Sequence, residues 1–381
     1  MTHPAITGPS WRPTIIHAVG ARPNFVKMAP VIHALDRTGE FNQLVVHTGQ
    51  HYDAKLSDDI LADLDFPSPD YFLGVGSGQH GEQTAKVLAA FEHILLDVRP
   101  DVVLVAGDVN STLACALAAF KLQIPVAHLE AGLRSGDRSM PEEINRVLTD
   151  QMSDVLLTHS PEALDNLIKE GIDEDRVYYV GNTMIDSLRR CEPRARERAA
   201  FGDHGLAPGA YVLVTFHRPG NVDDPLRLTQ IVQALVELAR HAPVVFPVHP
   251  RTRVRLAELG DLARLEAAGV RCIEPVGYLD FISLQQSAGA IVTDSGGIQE
   301  EASALGIRCH TFRPNTERPV TLTHGTNVML GDDPAEIARV RPSGWGPVPC
   351  AIPLWDGHAA DRVSDVLLKA YAVEHSVEAA A

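Results

Sequence analysis

The chain has 381 residues, 45% of them hydrophobic, a formal net charge of -16 and five cysteines. That is apolar material for two ordinary cores, and the few, widely spaced cysteines fit neither a disulfide-stapled scaffold nor a paired-cysteine zinc site. The acidic balance argues against nucleic acid or an anionic membrane as partner, no apolar run approaches the roughly 18 residues of a membrane span, and Met1–Pro13 lacks a secretory leader pattern, so a soluble cytoplasmic protein with reduced thiols is expected.

The first element is an apolar strand, Thr14 to Val19, which runs into Gly20-Ala21-Arg22-Pro23-Asn24 and a helix with Phe25, Met28, Ile32 and Leu35 at helical spacing. The unit then repeats. Gln43 to His47 reads as a strand and Glu82 to Leu96 as a helix. Asp101 to Ala106 is a strand ending at Gly107-Asp108 before a helix through Ala118, and Ile124 to Leu129, Val155 to Thr158 and Val177 to Val180 continue the alternation. After Gly181-Asn182-Thr183 and a helix near Ile185 to Arg190, the charged, Ala-rich stretch Cys191 to Gly205 reads as an interdomain linker. A second series follows, with strands at Tyr211–Thr215, Val244–Val248, Arg271–Glu274, Ala290–Thr293 and Arg308–Phe312 and helical segments such as Leu226–Arg240 between them. Such alternation specifies parallel sheets with right-handed crossovers. The expected architecture is α/β, two Rossmann-like doubly wound domains facing a cleft. They cover residues 1–190 and 191–364, with a C-terminal helix at about 365–381 packing back on the first.

The stretch His128 to Asp150 concentrates the chemistry. Glu130, Asp137, Glu142, Glu143 and Asp150 are interleaved with Arg134, Arg138 and Arg146. Glu130 falls at the carboxyl end of a buried strand, where open α/β sheets place their ligand crevice. Met140-Pro141-Glu142-Glu143 reads as a helix start, with Pro in the first turn and acids at the positive end of the dipole. Asp108 ends a neighbouring strand, so Asp108, Glu130 and Glu142 can converge for proton transfers. Metal binding is the rival use of three carboxylates; Arg22, Lys27, Arg134 and Arg146 supply the compensating charge and favour a metal-free site.

In the second half, Asp294-Ser295-Gly296-Gly297-Ile298-Gln299-Glu300-Glu301 follows a buried strand and opens a helix whose free N–H groups make an anion site. This suggests a nucleotide diphosphate held by Ser295, Gly296 and Gly297, with Glu301 on the ribose. His217-Arg218 ends another strand and can grip phosphate oxygens, Arg313 and Arg318 bring further cations, and Thr316 with Glu317 could meet sugar hydroxyls. His51 and His249 read as structural.

Taken in order, Gly-Ala-Arg-Pro-Asn with Lys27, Thr48-Gly49-Gln50-His51, Gly107-Asp108-Val109-Asn110-Ser111-Thr112, His128 through Arg146, Gly181-Asn182-Thr183, His217-Arg218, Asp294 through Glu301, Thr316-Glu317-Arg318-Pro319 and Gly325-Thr326 closely resemble the non-hydrolysing UDP-N-acetylglucosamine 2-epimerases, over residues 14 to 370. The resemblance implies a glycosyltransferase-B-like fold and a cytoplasmic homodimer. It implies interconversion of UDP-N-acetylglucosamine and UDP-N-acetylmannosamine, for use in surface polysaccharides, without cofactor or metal. By motif, Arg22, Lys27, Asp108, Glu130, Glu142 and His217 fall on catalytic positions. Ser295, Gly296, Gly297 and Glu301 fall on the UDP site, and Arg134, Arg218 and Arg313 are the further substrate-binding candidates. Asn24, Pro219 and Gly220 depart from the usual pattern, and relatives act on diacetamido sugars and uronates.

Overall fold

The structure is a computed structural model that describes residues 12–49, 60–344 and 350–372; His51 and the end of the expected C-terminal helix lie outside them. The central strands of each half, such as Val102–Ala106 and Ala290–Thr293, are buried on both faces, which is why they form parallel sheets covered by helices on each side. The first half contributes β1 Thr14–Val19, β2 Asn42–His47, β3 Tyr71–Phe72, β4 Val102–Ala106, β5 Val126–Ala131, β6 Val155–Thr158 and β7 Val177–Tyr179. They form one parallel sheet in the order β3-β2-β1-β4-β5-β6-β7. The second half contributes β8 Val212–Thr215, β9 Val244–Pro247, β10 Arg271–Ile273, β11 Ala290–Thr293, β12 Cys309–Thr311 and β13 Asn327–Met329, in the order β10-β9-β8-β11-β12-β13.

Each order reverses once, between β1 and β4 in the first sheet and between β8 and β11 in the second. At a reversal, the loops leaving neighbouring strands turn to opposite faces and open a crevice at the carboxyl edge. The loops at these two crevices carry Arg22 and Asp108, and His217 and Ser295-Gly296-Gly297, respectively. The fold is the two-domain, glycosyltransferase-B-like arrangement. The sequence reading missed β3 and β13, which have two and three residues and too little apolar pattern to register.

The Cys191–Gly205 linker expectation is corrected. A single helix, Thr183–Arg198, runs through most of it. Ile185, Leu188, Cys191 and Ala195 recur at helical spacing and are buried. They join one continuous core with Phe25 and Met28 of the first domain and Tyr278 and Ile282 of the second. Charge on the outer face had masked that stripe. The chain enters this helix through Gly181, whose φ is +89° and where a Cβ would lie 2.2 Å from the Leu354 carbonyl oxygen. Asn182 then caps the helix by accepting from the Met184 N–H at 2.9 Å.

The helix Ala359–Leu367 packs on Arg22–Thr38 and on Thr183–Arg198, in the first domain's territory. Asp186 anchors it by accepting from the Ala359 and Ala360 N–H groups at 3.2 and 2.7 Å. Burial pushes the Asp186 carboxyl up to about 6 against the pull of those N–H groups. An acid with a raised folded pKa contributes stability that is fully present below its unfolded value, 3.8, and lost as pH rises through about 6. D186N keeps an acceptor without the charge. It is expected to be more stable than the native chain near pH 8 by about 1 to 2 kcal/mol, with the difference closing near pH 4. Urea unfolding across that range measures it; a difference that does not shrink on acidification would contradict the assignment to Asp186.

Among the described residues, no helix is long and apolar enough to cross a membrane.

Candidate active site

The first crevice is built around Glu130. It is the penultimate residue of β5 and has φ +72°, a left-handed conformation costly for a residue with a side chain. The β5–β6 register shifts between Leu129 and Ala131, so this twist turns the carboxylate out of the sheet and into the crevice. There Glu130 pairs with Lys27 and accepts from Arg318 Nη2 at 3.2 Å, a bond that joins the two domains. Gly107, with φ +68°, makes room for this group, since a Cβ would lie 3.2 Å from Lys27 Nζ and 3.3 Å from Glu130 Oε2. Burial alone would raise the Glu130 pKa; Lys27 and Arg318 outweigh it and hold the carboxyl below its ordinary value.

Asp108 and Glu142 flank Glu130's crevice differently. Asp108 accepts from Arg146 Nε at 3.0 Å and Nη2 at 2.5 Å and remains partly open to solvent. Glu142 sits in the first turn of the helix Pro141–Met152 and has no hydrogen-bond or ion-pair partner among the described residues. Both line a cavity of about 200 Å³ together with His80, Gln83, Asn110 and Asn145. Asn145 Nδ2 donates to the Asp108 carbonyl at 2.9 Å, and Asn110 Nδ2 donates to Gln83 Oε1 at 2.9 Å. Sequence reasoning passed over these four polar side chains. The available signals were that Asn145 lies three residues after Glu142 on one helix face and that Asn110 lies two residues after Asp108.

Glu143, Asp150 and Arg134 of the His128–Asp150 stretch are engaged within the fold. Glu143 accepts from the Ser135 and Gly136 N–H groups at 2.9 and 2.8 Å and from Arg146 Nη1 at 2.7 Å, closing the loop before the helix. Asp150 accepts from His128 Nδ1 at 2.6 Å and from the Gly132 N–H at 3.1 Å. Arg134, expected on the substrate, has its guanidinium engaged within the first domain. Its guanidinium donates to Glu170 at 2.7 and 2.6 Å, to Asp150 at 2.7 Å and to the Leu133 carbonyl at 2.6 Å, which leaves little for a ligand.

The second crevice is organised by Asp294, fully buried at the end of β11. It accepts from the His217 and Arg218 N–H groups at 3.1 and 3.0 Å, from Asn221 Nδ2 at 3.1 Å and from His217 Nδ1 at 3.0 Å. One carboxylate thus fastens the His217-Arg218 loop to the Ser295 loop. The His217 ring is half exposed and lies 6.0 Å from that of His249, which faces the same opening. Burial lowers the His249 pKa, and the nearby charges of His217, Arg22 and Arg251 lower it further. Arg22, at the start of its helix, is reached by water inside the crevice; enclosure lowers its pKa and Glu301 opposes the effect.

Ser295 precedes the helix Gly296–Leu305 and makes no side-chain cap bond, so the first-turn N–H groups are available to an anion. Gly297 approaches Met184 of the interdomain helix, within 3.6 Å of a built Cβ. Glu301 is buried and accepts from Tyr278 Oη at 3.1 Å and Gln285 Nε2 at 2.6 Å, and burial raises its pKa.

Glu317, expected near sugar hydroxyls, is engaged by cations within the fold. It is buried inside a ring of guanidinium groups: Arg318 Nη1 at 2.5 Å, Arg313 Nη2 at 2.8 Å, Arg218 Nη2 at 3.4 Å and Arg146 Nη2 at 4.0 Å. Burial opposes the charge, but these cations hold its carboxyl far below the ordinary range. Thr316 donates to Gln299 Oε1 at 2.7 Å, so it too is used within the fold. Arg313 keeps Nη1 without a hydrogen-bond partner among the described residues.

One group has metal-ligand spacing among the described residues: Glu130, His159 and Glu300, with ligand atoms within 4.8 Å of one another. Lys27 and Arg318 already match the two carboxylates, so an added divalent cation would meet two resident cations.

Comparison with known proteins agrees with this geometry. The family described as UDP-N-acetylglucosamine 2-epimerase matches residues 33–368. A UDP-N-acetylglucosamine 2-epimerase of Methanocaldococcus jannaschii is 44% identical over 328 residues, 84% of this chain and 89% of that protein. A UDP-2,3-diacetamido-2,3-dideoxy-D-glucuronate 2-epimerase of Pseudomonas aeruginosa is 45% identical over 320 residues, 83% and 88% of the two chains. The crystal structure of the M. jannaschii UDP-GlcNAc 2-epimerase in complex with UDP-GlcNAc and UDP superposes with a TM-score of 0.85 at 40% identity, covering 93% of this chain and 99% of that one. With a match of this extent in sequence and fold, the chain belongs to the UDP-N-acetylglucosamine 2-epimerase family.

Proposed function

We propose that this protein interconverts UDP-N-acetylglucosamine and UDP-N-acetylmannosamine by eliminating UDP to a bound glycal and adding it back. The observation that supports the reading is the bond from Arg318 of the second domain to Glu130 of the first, with Asp108 and Glu142 lining one first-domain cavity and the Gly296–Leu305 helix start carrying no side-chain cap. The C2 proton of a sugar is weakly acidic. Departure of UDP with the C1–O electron pair builds positive charge at C1, which the anionic Glu130 can stabilise and which makes C2–H removable. A carboxylate takes that proton, the C1–C2 double bond forms, and re-addition returns a proton to the opposite face of C2 as the UDP oxygen bonds C1. Glu142, which can gain and lose a proton without breaking an ion pair, suits one face, and Asp108 the other.

In this reading Ser295, Gly296 and Gly297 hold the diphosphate and Glu301 the ribose. Arg22, His217 and Lys27 stabilise the leaving group, and Arg218 and Arg313 add cationic field from the Glu317 ring. Arg134 has a structural role. No cofactor or metal is required. The protein acts as a cytoplasmic homodimer. Leu96, Phe120 and Leu148, exposed on three helices of the first domain, are apolar surface such a dimer could cover.

Incubating the protein with UDP-N-acetylglucosamine in D₂O tests the proposal. UDP-N-acetylmannosamine carrying deuterium at C2 is the expected product. UDP with free sugar would instead mean a hydrolase, and no change a binding protein. The Pseudomonas relative gives a second reading, epimerisation of a diacetamido uronate. A larger kcat/KM on that sugar nucleotide than on UDP-N-acetylglucosamine would favour it.

A further inference from the structure

Gly296 stands in the first turn of its helix with an ordinary helical φ, so its backbone would accept any residue. Space is what it supplies. A Cβ there would lie 2.4 Å from Arg318 Nη1 and 2.8 Å from Cζ. The glycine opens a passage through which Arg318 crosses from its loop after β12 to Glu130 in the other domain. At its base, Arg318 Nε lies 2.9 Å from Glu300 Oε1, and the same carboxylate accepts from His159 Nε2 at 2.9 Å. Nη1 is held by Glu317 at 2.5 Å and Nη2 is left for Glu130 at 3.2 Å. All five side chains are buried.

We propose that Arg318 is a positioning residue for the reaction: it is delivered to Glu130 by the second domain when the cleft is closed, with Glu300 and Glu317 fixing its guanidinium and His159 fixing Glu300. The inference rests on the charge-stabilising role proposed for Glu130 above. Arg318 does not touch the reacting atoms. It orients the carboxylate in its left-handed backbone setting and completes the ion pairing that Lys27 supplies from the same domain.

The groups facing Glu130 are Lys27 from the Arg22–Thr38 helix, His159 from the loop after β6, Glu300 from the Gly296–Leu305 helix and Arg318 itself. Burial and Glu300 push the Glu130 pKa up; Lys27, Arg318 and His159 push it down. Without Arg318 the upward causes gain, so protonation of Glu130 moves to higher pH. Opening of the domains would have the same effect, which couples closure to the charge state of the carboxylate.

The test uses the full chain with R318Q, R318K and the double variant with E130Q. R318Q is expected to lower kcat by about 100-fold, the span for losing one preorganised electrostatic contact, and to move the acidic limb of the pH profile of kcat/KM upward by about one unit. UDP affinity by calorimetry should change less than about threefold, under 0.7 kcal/mol. R318K should recover part of the rate and of the limb position. An unmoved acidic limb, or UDP affinity falling in step with kcat/KM, would overturn the proposal. Melting temperatures give a reading independent of turnover: the losses for R318Q and E130Q should be non-additive in the double variant, and additive losses would refute the contact. A native protein that fails to epimerise but shows this non-additivity would sink the proposed reaction and leave the pairing standing.

Discussion

Asp108→Asn is expected to lower the rate of C2 deuterium exchange by about 10³-fold, and Glu142→Gln by about 10²- to 10³-fold, while UDP still binds. Both acids line one cavity of the first domain. In D108N the amide keeps the shape of the carboxylate, and Arg146 retains Glu143 at 2.7 Å, so no buried cation is stranded and the fold should survive. In E142Q no partner among the described residues is lost at all. The UDP contacts proposed for Ser295, Gly296, Gly297 and Glu301 lie in the other domain and are untouched. Proton NMR of the exchange, with calorimetric titration of UDP, separates chemistry from binding. Full exchange in either variant would remove that residue from the mechanism.

The largest expected effect on stability comes from Glu317→Gln. Its carboxylate lies within 4.0 Å of Arg318, Arg313, Arg218 and Arg146, and for Arg313 and Arg218 it is the one ion-pair partner among the described residues. Taking the charge away leaves the buried Arg313 without its ion-pair partner and close to the remaining guanidinium groups. A cost of about 3 to 5 kcal/mol in urea unfolding at neutral pH is expected, the range for breaking a buried ion pair from one side. UDP affinity should fall as well, because Arg218 and Arg313 lose the anion that positions them. Since the folded pKa of Glu317 is depressed, its stabilisation is present above the unfolded value, 4.5, and is lost only as pH falls toward a far lower folded value. The stability gap between native chain and variant should therefore persist through mild acid. A loss under about 1 kcal/mol would show that the arginines find other partners.

The two arguments draw on different kinds of residue. Asp108 and Glu142 could be singled out in the sequence because each follows a local signal, a strand running into Gly-Asp and a Pro-led helix start. Glu317 could not. It sits in the same short motif as Thr316, and local pattern suggested sugar hydroxyls for both.

Local periodicity and Gly and Pro punctuation were enough to determine the alternating α/β architecture and to place Asp108 and Glu130 at strand ends, Glu142 at a helix start and Ser295-Gly296-Gly297 at another. These signals act within a few residues and are written into the order of the chain. Tertiary structure alone decided which charges face ligand and which face each other. Arg134 is consumed by Glu170 and Asp150, and Asp294 fastens two loops. The supposed linker is a helix buried between domains, and Arg318 meets Glu130 across 188 residues of sequence. Ion pairing depends on distance and burial in space, and neither is encoded in the spacing of the residues along the chain.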